Sequence, residues 1–291
     1  MRRHWVLLLL LVFASIMGAS SASGGMFMDS GLVDIPTGAV LEHGVFAIGP
    51  YVAARLDQRE VSSDHIAEYL VATTCFHLNF GLFDRVEVGL GYVWNEDGWG
   101  EQRGELSTEQ AASLKVQLLK EQEVGAVPSI AIGIEYLGDG ILTTDSVADN
   151  SSPSPFLSVS KTFNLPRIHQ FSGHIGVGAN RFQFEEGPLG LFVGLSKEFQ
   201  PAFARGDITM SLEFDGADVN AGMQYITASG LQIALGAETL NNPDALRYLV
   251  AISWTNKPLL EQIDETHRLI QRATQLAIEA KRAASEKKSD K

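Results

Sequence analysis

One cysteine in 291 residues, Cys75, excludes an internal disulfide from the framework. Its position far from the start also excludes a lipid-bearing cysteine behind a cleaved leader. Long apolar runs are missing as well. The longest, Trp5 to Phe13, is well short of the roughly 20 residues a membrane-spanning helix needs. Basic residues are scarce, 22 Lys and Arg against 35 Asp and Glu for a net charge of −13, which is a poor basis for binding phosphate backbones. No nucleic-acid partner is therefore expected. His43, His65, His77, His169, His174 and His267 have no metal-ligand spacing, and no glycine-rich loop has the form of a phosphate cradle. No metal, cofactor or catalytic residue is expected, and the chain does not read as an enzyme.

What is present begins with Arg2 and Arg3, the apolar run, and the small residues Gly18-Ala-Ser-Ser-Ala-Ser23. That order of charge, apolar core and small residues describes a secretory signal peptide over residues 1–23, cut after Ala22 or Ser23. Its loss removes two arginines and takes the net charge from −13 to −15.

From about residue 45 to 256, runs of about ten residues alternate apolar and polar side chains. In Arg85 to Tyr92, Val86, Val88, Leu90 and Tyr92 oppose Glu87, Gly89 and Gly91. In Ser129 to Tyr136, Ile130, Ile132, Ile134 and Tyr136 oppose Ala131, Gly133 and Glu135. Successive side chains of a strand point to opposite faces, so each run has one greasy and one polar or small face. About twelve such runs can be counted, near 45–56, 66–80, 85–95, 111–122, 128–138, 155–163, 171–181, 189–199, 206–215, 217–227, 230–238 and 246–255. Compact connections, such as 81–84 and 228–230, alternate with longer polar ones, such as 95–110 and 139–154.

An even strand number, short turns at one end and long loops at the other describe a transmembrane antiparallel β-barrel of a bacterial outer membrane, with both chain ends in the periplasm. A soluble sandwich or lipocalin-like barrel shares the alternation. It fits less well, because the small face is rich in Gly, Ala and Ser and the apolar face ends in Tyr92, Tyr136, Tyr225, Tyr248 and Trp254. Residues 24–44 are left as a periplasmic lead-in, 45–256 as the barrel, and 257–291 as a C-terminal periplasmic helix and tail. In that helix Leu259, Ile263, Thr266, Ile270, Ala273, Ala277, Ala280 and Ala284 follow a 4–3 spacing. It reads either as a seam for self-association or a periplasmic partner, or as a solvated helix. The last residues, 285–291, are expected to fray.

With the apolar faces on lipid, the lumen would carry Glu87, Glu135, Glu198, Glu213 and Glu238 against Lys115, with Gln117, His174, Asn220 and Gln224 beside them. Acidic rings favour cations. Ser172 and His174 share a face, as ordinary lumen polar groups do. Two functions suit such a barrel. One is a porin-like or export channel for a small or extended polar solute. The other is a non-conducting envelope component whose helix binds a periplasmic partner.

The segment Leu32-Val-Asp-Ile-Pro-Thr-Gly-Ala-Val-Leu-Glu-His-Gly44 resembles the D-x-P-T/S-A-x-x-L-x-x-G segment of outer-membrane barrels associated with exopolysaccharide export, the YjbH-like group. Phe80-Gly-Leu-Phe-Asp-Arg-Val-Glu-Val-Gly-Leu-Gly91 and Glu213-Phe-Asp-Gly-Ala-Asp-Val-Asn-Ala-Gly222 add to the likeness, the second matching that group's E-x-D-G-x-D-x-N-x-G hairpin. The resemblance implies an outer-membrane barrel serving polysaccharide or envelope traffic.

Overall fold

The computed structural model describes residues 30–62, 65–96, 107–122, 126–137, 153–165, 169–183, 187–202 and 205–289. The expected signal peptide and most of the polar connections 95–110 and 139–154 lie outside them.

Twelve strands follow one another: β1 (Phe46–Ser62), β2 (His65–Leu82), β3 (Val86–Glu96), β4 (Ser107–Leu119), β5 (Ser129–Glu135), β6 (Ser154–Leu165), β7 (His169–Gly178), β8 (Gly190–Phe199), β9 (Gly206–Phe214), β10 (Val219–Thr227), β11 (Leu231–Glu238) and β12 (Arg247–Thr255). Each pairs antiparallel with its sequence neighbours, and β1 pairs with β12 from Ala47↔Thr255 to Arg55↔Arg247, closing the barrel. Closure gives every strand a partner on both sides, so none keeps a free edge. A single helix, α1 (Lys257–Ser289), follows. It is too polar to cross a membrane.

The alternation in the sequence becomes an inside and an outside. Leu90, Ile132, Ile175, Leu195, Leu212 and Ile252 face out with 44% to 54% of their surface exposed, whereas Glu87 and Lys115 are at 0%. A soluble barrel would show the reverse.

Three features depart from the simple pattern. β1 and β2 run past the expected apolar run, with Asp57↔Tyr69 and Gln58↔Glu68 still in register, because backbone pairing continues where side chains are polar. Tyr136, expected on the outer face, is buried beside Tyr51, Cys75 and Leu249 in the lumen. Its φ of +57° breaks the strand's alternation and turns the ring inward. The helix also continues to Ser289, past the expected start of fraying at Ser285.

Candidate functional site: the filled lumen

The described part of the lead-in, from Ser30 to Gly44, folds inside the barrel as a plug. It enters from the short-turn end, where Glu87 accepts hydrogen bonds from Ser30 Oγ and from the Leu41 backbone N–H. Its tip, Val33 to Ile35, reaches the opposite rim beside the connection that follows β7. The loop is tied to itself. The Leu32 N–H donates to the Ile35 carbonyl at 2.9 Å, and Thr37 Oγ1 donates to the Ser30 carbonyl at 2.5 Å. A segment without helix or strand must find partners for its backbone groups elsewhere, and here the wall supplies them.

Glu213 on β9 accepts from the Val33 and Asp34 N–H groups at 3.2 and 2.5 Å. Ser158 donates to the Thr37 carbonyl at 2.8 Å, Gln117 donates to the Gly38 carbonyl at 2.8 Å, and Ser160 Oγ accepts from the Gly38 N–H at 2.8 Å. Arg181, in a short 3-10 turn at Asn180–Phe182, donates to the Asp34 carbonyl, to its carboxylate and to Glu135. The planar fork suits several acceptors at once. Burial opposes the Arg181 charge, but Glu135 and Asp34 outweigh it and hold the guanidinium more firmly protonated than usual.

The plug also has an apolar side, fitted to the small face of the wall. A Cβ on Gly222 would lie 2.3 Å from Val33 Cγ2, and one on Gly194 would lie 2.7 Å from Ile35 Cδ1. These inward glycines vacate the volume that Leu32, Val33 and Ile35 occupy. Between plug and wall, beside Gln224, lies a cavity of about 40 Å³. A wider concavity, about 610 Å³, lies on the outer wall over β6 to β9. It is lined mainly by apolar outward residues, including Phe163, Ile175, Leu195 and Leu212, and belongs to the apolar belt.

The expected lumen residues now have places. Glu87 pairs with Lys115 at 3.4 Å, and Glu238 pairs with Arg247 at 2.9 Å, both wall to wall. Asn220 accepts from the Thr239 N–H and donates to Asp215, fixing the β9–β10 turn. His174 bonds Ser160 and Ser196 at 2.7 and 2.9 Å, while Ser172 bonds Thr162 instead. Glu198 has the inward parity but sits exposed at the short-turn rim. Among the described residues no three His, Cys, Asp or Glu groups converge as a metal site.

The alternation sets five glutamates against one lysine, whereas the folded lumen adds Arg181, Arg247 and the part-buried Arg55, which lies in register with Arg247. Arg247 is in phase with Leu249 and Ala251 on β12, so the strand period carries that signal. Arg181 lies in a turn and gives none.

The geometry defines a closed twelve-stranded β-barrel, polar inside and apolar outside, with its own N-terminal segment in the lumen. No family model matches the chain, and no curated protein matches it. Among solved structures it is similar to an outer membrane channel from Pseudomonas putida F1, at 11% identity and a TM-score of 0.43, over 81% of this chain and 100% of that one. That likeness is too slight to carry an inference about this chain.

Proposed function

We propose that the protein is an outer-membrane channel for a polar solute, held shut by residues 30–44 and opened when they withdraw. The apolar outer wall suits lipid, and the polar inner wall suits a hydrated path. The observation that carries the reading is the fit of the plug. A barrel meant only to be solid would fill its lumen with large wall side chains. This one keeps Gly194 and Gly222 where the plug lies and holds it mainly by hydrogen bonds, which water can replace.

With the plug out, Glu213 loses its two N–H donors, while Glu87, Glu135 and Glu238 still face Lys115, Arg181 and Arg247. The open lumen is then weakly cation-preferring, and the preference falls as salt rises because the screening length is only about 10 Å at 0.1 M. An extended polysaccharide belongs among the candidate solutes through the resemblance to the exopolysaccharide-associated group.

Planar-bilayer recording tests this. The intact chain should be mostly silent, and a chain lacking residues 30–41 should show steady steps with a reversal potential of cation sign. Silence from both would favour the second reading, a non-conducting envelope component. That reading draws on the wall-to-wall pairs Glu87–Lys115 and Glu238–Arg247, which need no plug.

A further inference from the structure

The helix α1 leaves the barrel with nothing on its apolar stripe. Residues 261–281 are exposed throughout, Leu269, Ile270 and Leu276 at 57% to 60%. At 33 residues it extends about 50 Å at 1.5 Å per residue. Its base is fixed. Asn256 Oδ1 accepts from the Phe46 N–H and Asn256 Nδ2 donates to the Gly44 carbonyl, each at 2.8 Å, while the Asn256 carbonyl receives the first helical bonds from Leu259 and Leu260.

The 4–3 spacing puts Ile263, Ile270, Ala277 and Ala284 at heptad position a, and Leu259, Thr266, Ala273 and Ala280 at d. The charges then fall in one place. From Pro258 to Ala280 every charged residue sits at b, c or f: Glu261, Asp264, Glu265, Arg268, Arg272 and Glu279. Positions e and g over the same stretch are uncharged, and Leu260, Leu269 and Leu276 are among them.

Two-stranded coiled coils keep e and g at the water boundary and usually charge them. An uncharged, partly leucine e/g flank instead needs cover from further helices. Lys257 at the helix start faces Glu261 at 3.9 Å, and the next charges on the polar face, Asp264 and Glu265, are acidic, which is wrong for a helix lying on an anionic lipid surface. Copies set in one membrane would present α1 from the same rim, parallel and in register. We propose that α1 bundles with α1 of at least two further copies of this chain, joining the barrels through their periplasmic helices.

The test uses the full chain in membranes, with Cys75→Ala as background. Ala273→Cys at d should form chain-to-chain disulfides under mild oxidation, and Gln275→Cys at f should not. In detergent the protein should sediment as three or more copies. Ile270→Glu should reduce that mass at least threefold while leaving the heat-modifiable gel shift of the folded barrel unchanged. Any of four results would overturn the proposal: a mass of one or two copies, equal linking at both positions, an oligomer that survives Ile270→Glu, or linkage of the Ala273→Cys variant to a different protein. None of these readouts depends on conductance, so the proposal stands or falls apart from the channel.

Discussion

At Asp34 the plug sets one carboxyl against the Arg181 guanidinium and a second carboxyl, Asp215, with Glu213, Glu135 and Glu238 also near. Burial raises the Asp34 pKa well above the usual value, and the negative Asp215 and Glu238 add to the rise against the pull of Arg181. Burial also pushes Asp215 up, but the hydrogen bond from Asp34 and the Ala217 and Asp218 N–H groups outweigh it and leave its pKa lowered. A raised carboxyl pKa stabilises the docked plug below its ordinary value, and the contribution is lost as pH rises through the raised one. A lowered pKa, as at Asp215, gives stability above the ordinary value that is lost only as pH falls through the lowered one. The plug should thus release more readily as pH rises. In bilayers the open fraction of the intact chain should climb with pH, and Asp34→Asn, which keeps a donor toward Asp215, should flatten that climb. An unchanged slope in the variant would remove Asp34 from the account.

The plug and its facing strands are tightly matched as elements. Val33 is β-branched and stiff, so a methyl on Gly222 leaves it nowhere to turn. Gly222→Ala should cost about 1–3 kcal/mol of overpacking, borne by the plug rather than by β10, whose ladder partners Ser211 and Gly236 remain. Limited proteolysis should cut residues 30–44 faster in this variant, with the barrel band intact. The strands themselves are legible in the sequence because a period of two survives any register. So are the buried acids, since Glu87, Glu135, Glu213 and Glu238 share the parity of the small residues. The plug is not, because an irregular segment takes its shape from partners such as Ser158, Ser160 and Arg181 that lie far along the chain. Tyr136 escapes the alternation for a local reason, a single left-handed residue at a strand end.

For the molecule as a whole, the outward belt makes a claim about solvent. Ile132 projects from the middle of β5 and is 44% exposed. Ile132→Arg should cost roughly 2–4 kcal/mol if that wall meets the bilayer midplane. In water the same change would be nearly free, so urea unfolding in lipid vesicles and in detergent-free buffer separates the two cases. The seam between β1 and β12 has a consequence for time as well as place. β1 is the first strand among the described residues, and its outer edge waits for a partner about 200 residues later, from Arg247 to Thr255. Asn256 then ties Phe46 and Gly44 across 210 and 212 residues, at the root of the plug. The plug precedes β1, so it is already attached when the ring shuts and is enclosed by that closure. The final strand to arrive thus both seals the cylinder and fixes what it contains, and a chain interrupted before β12 would keep an open sheet edge and an unanchored plug.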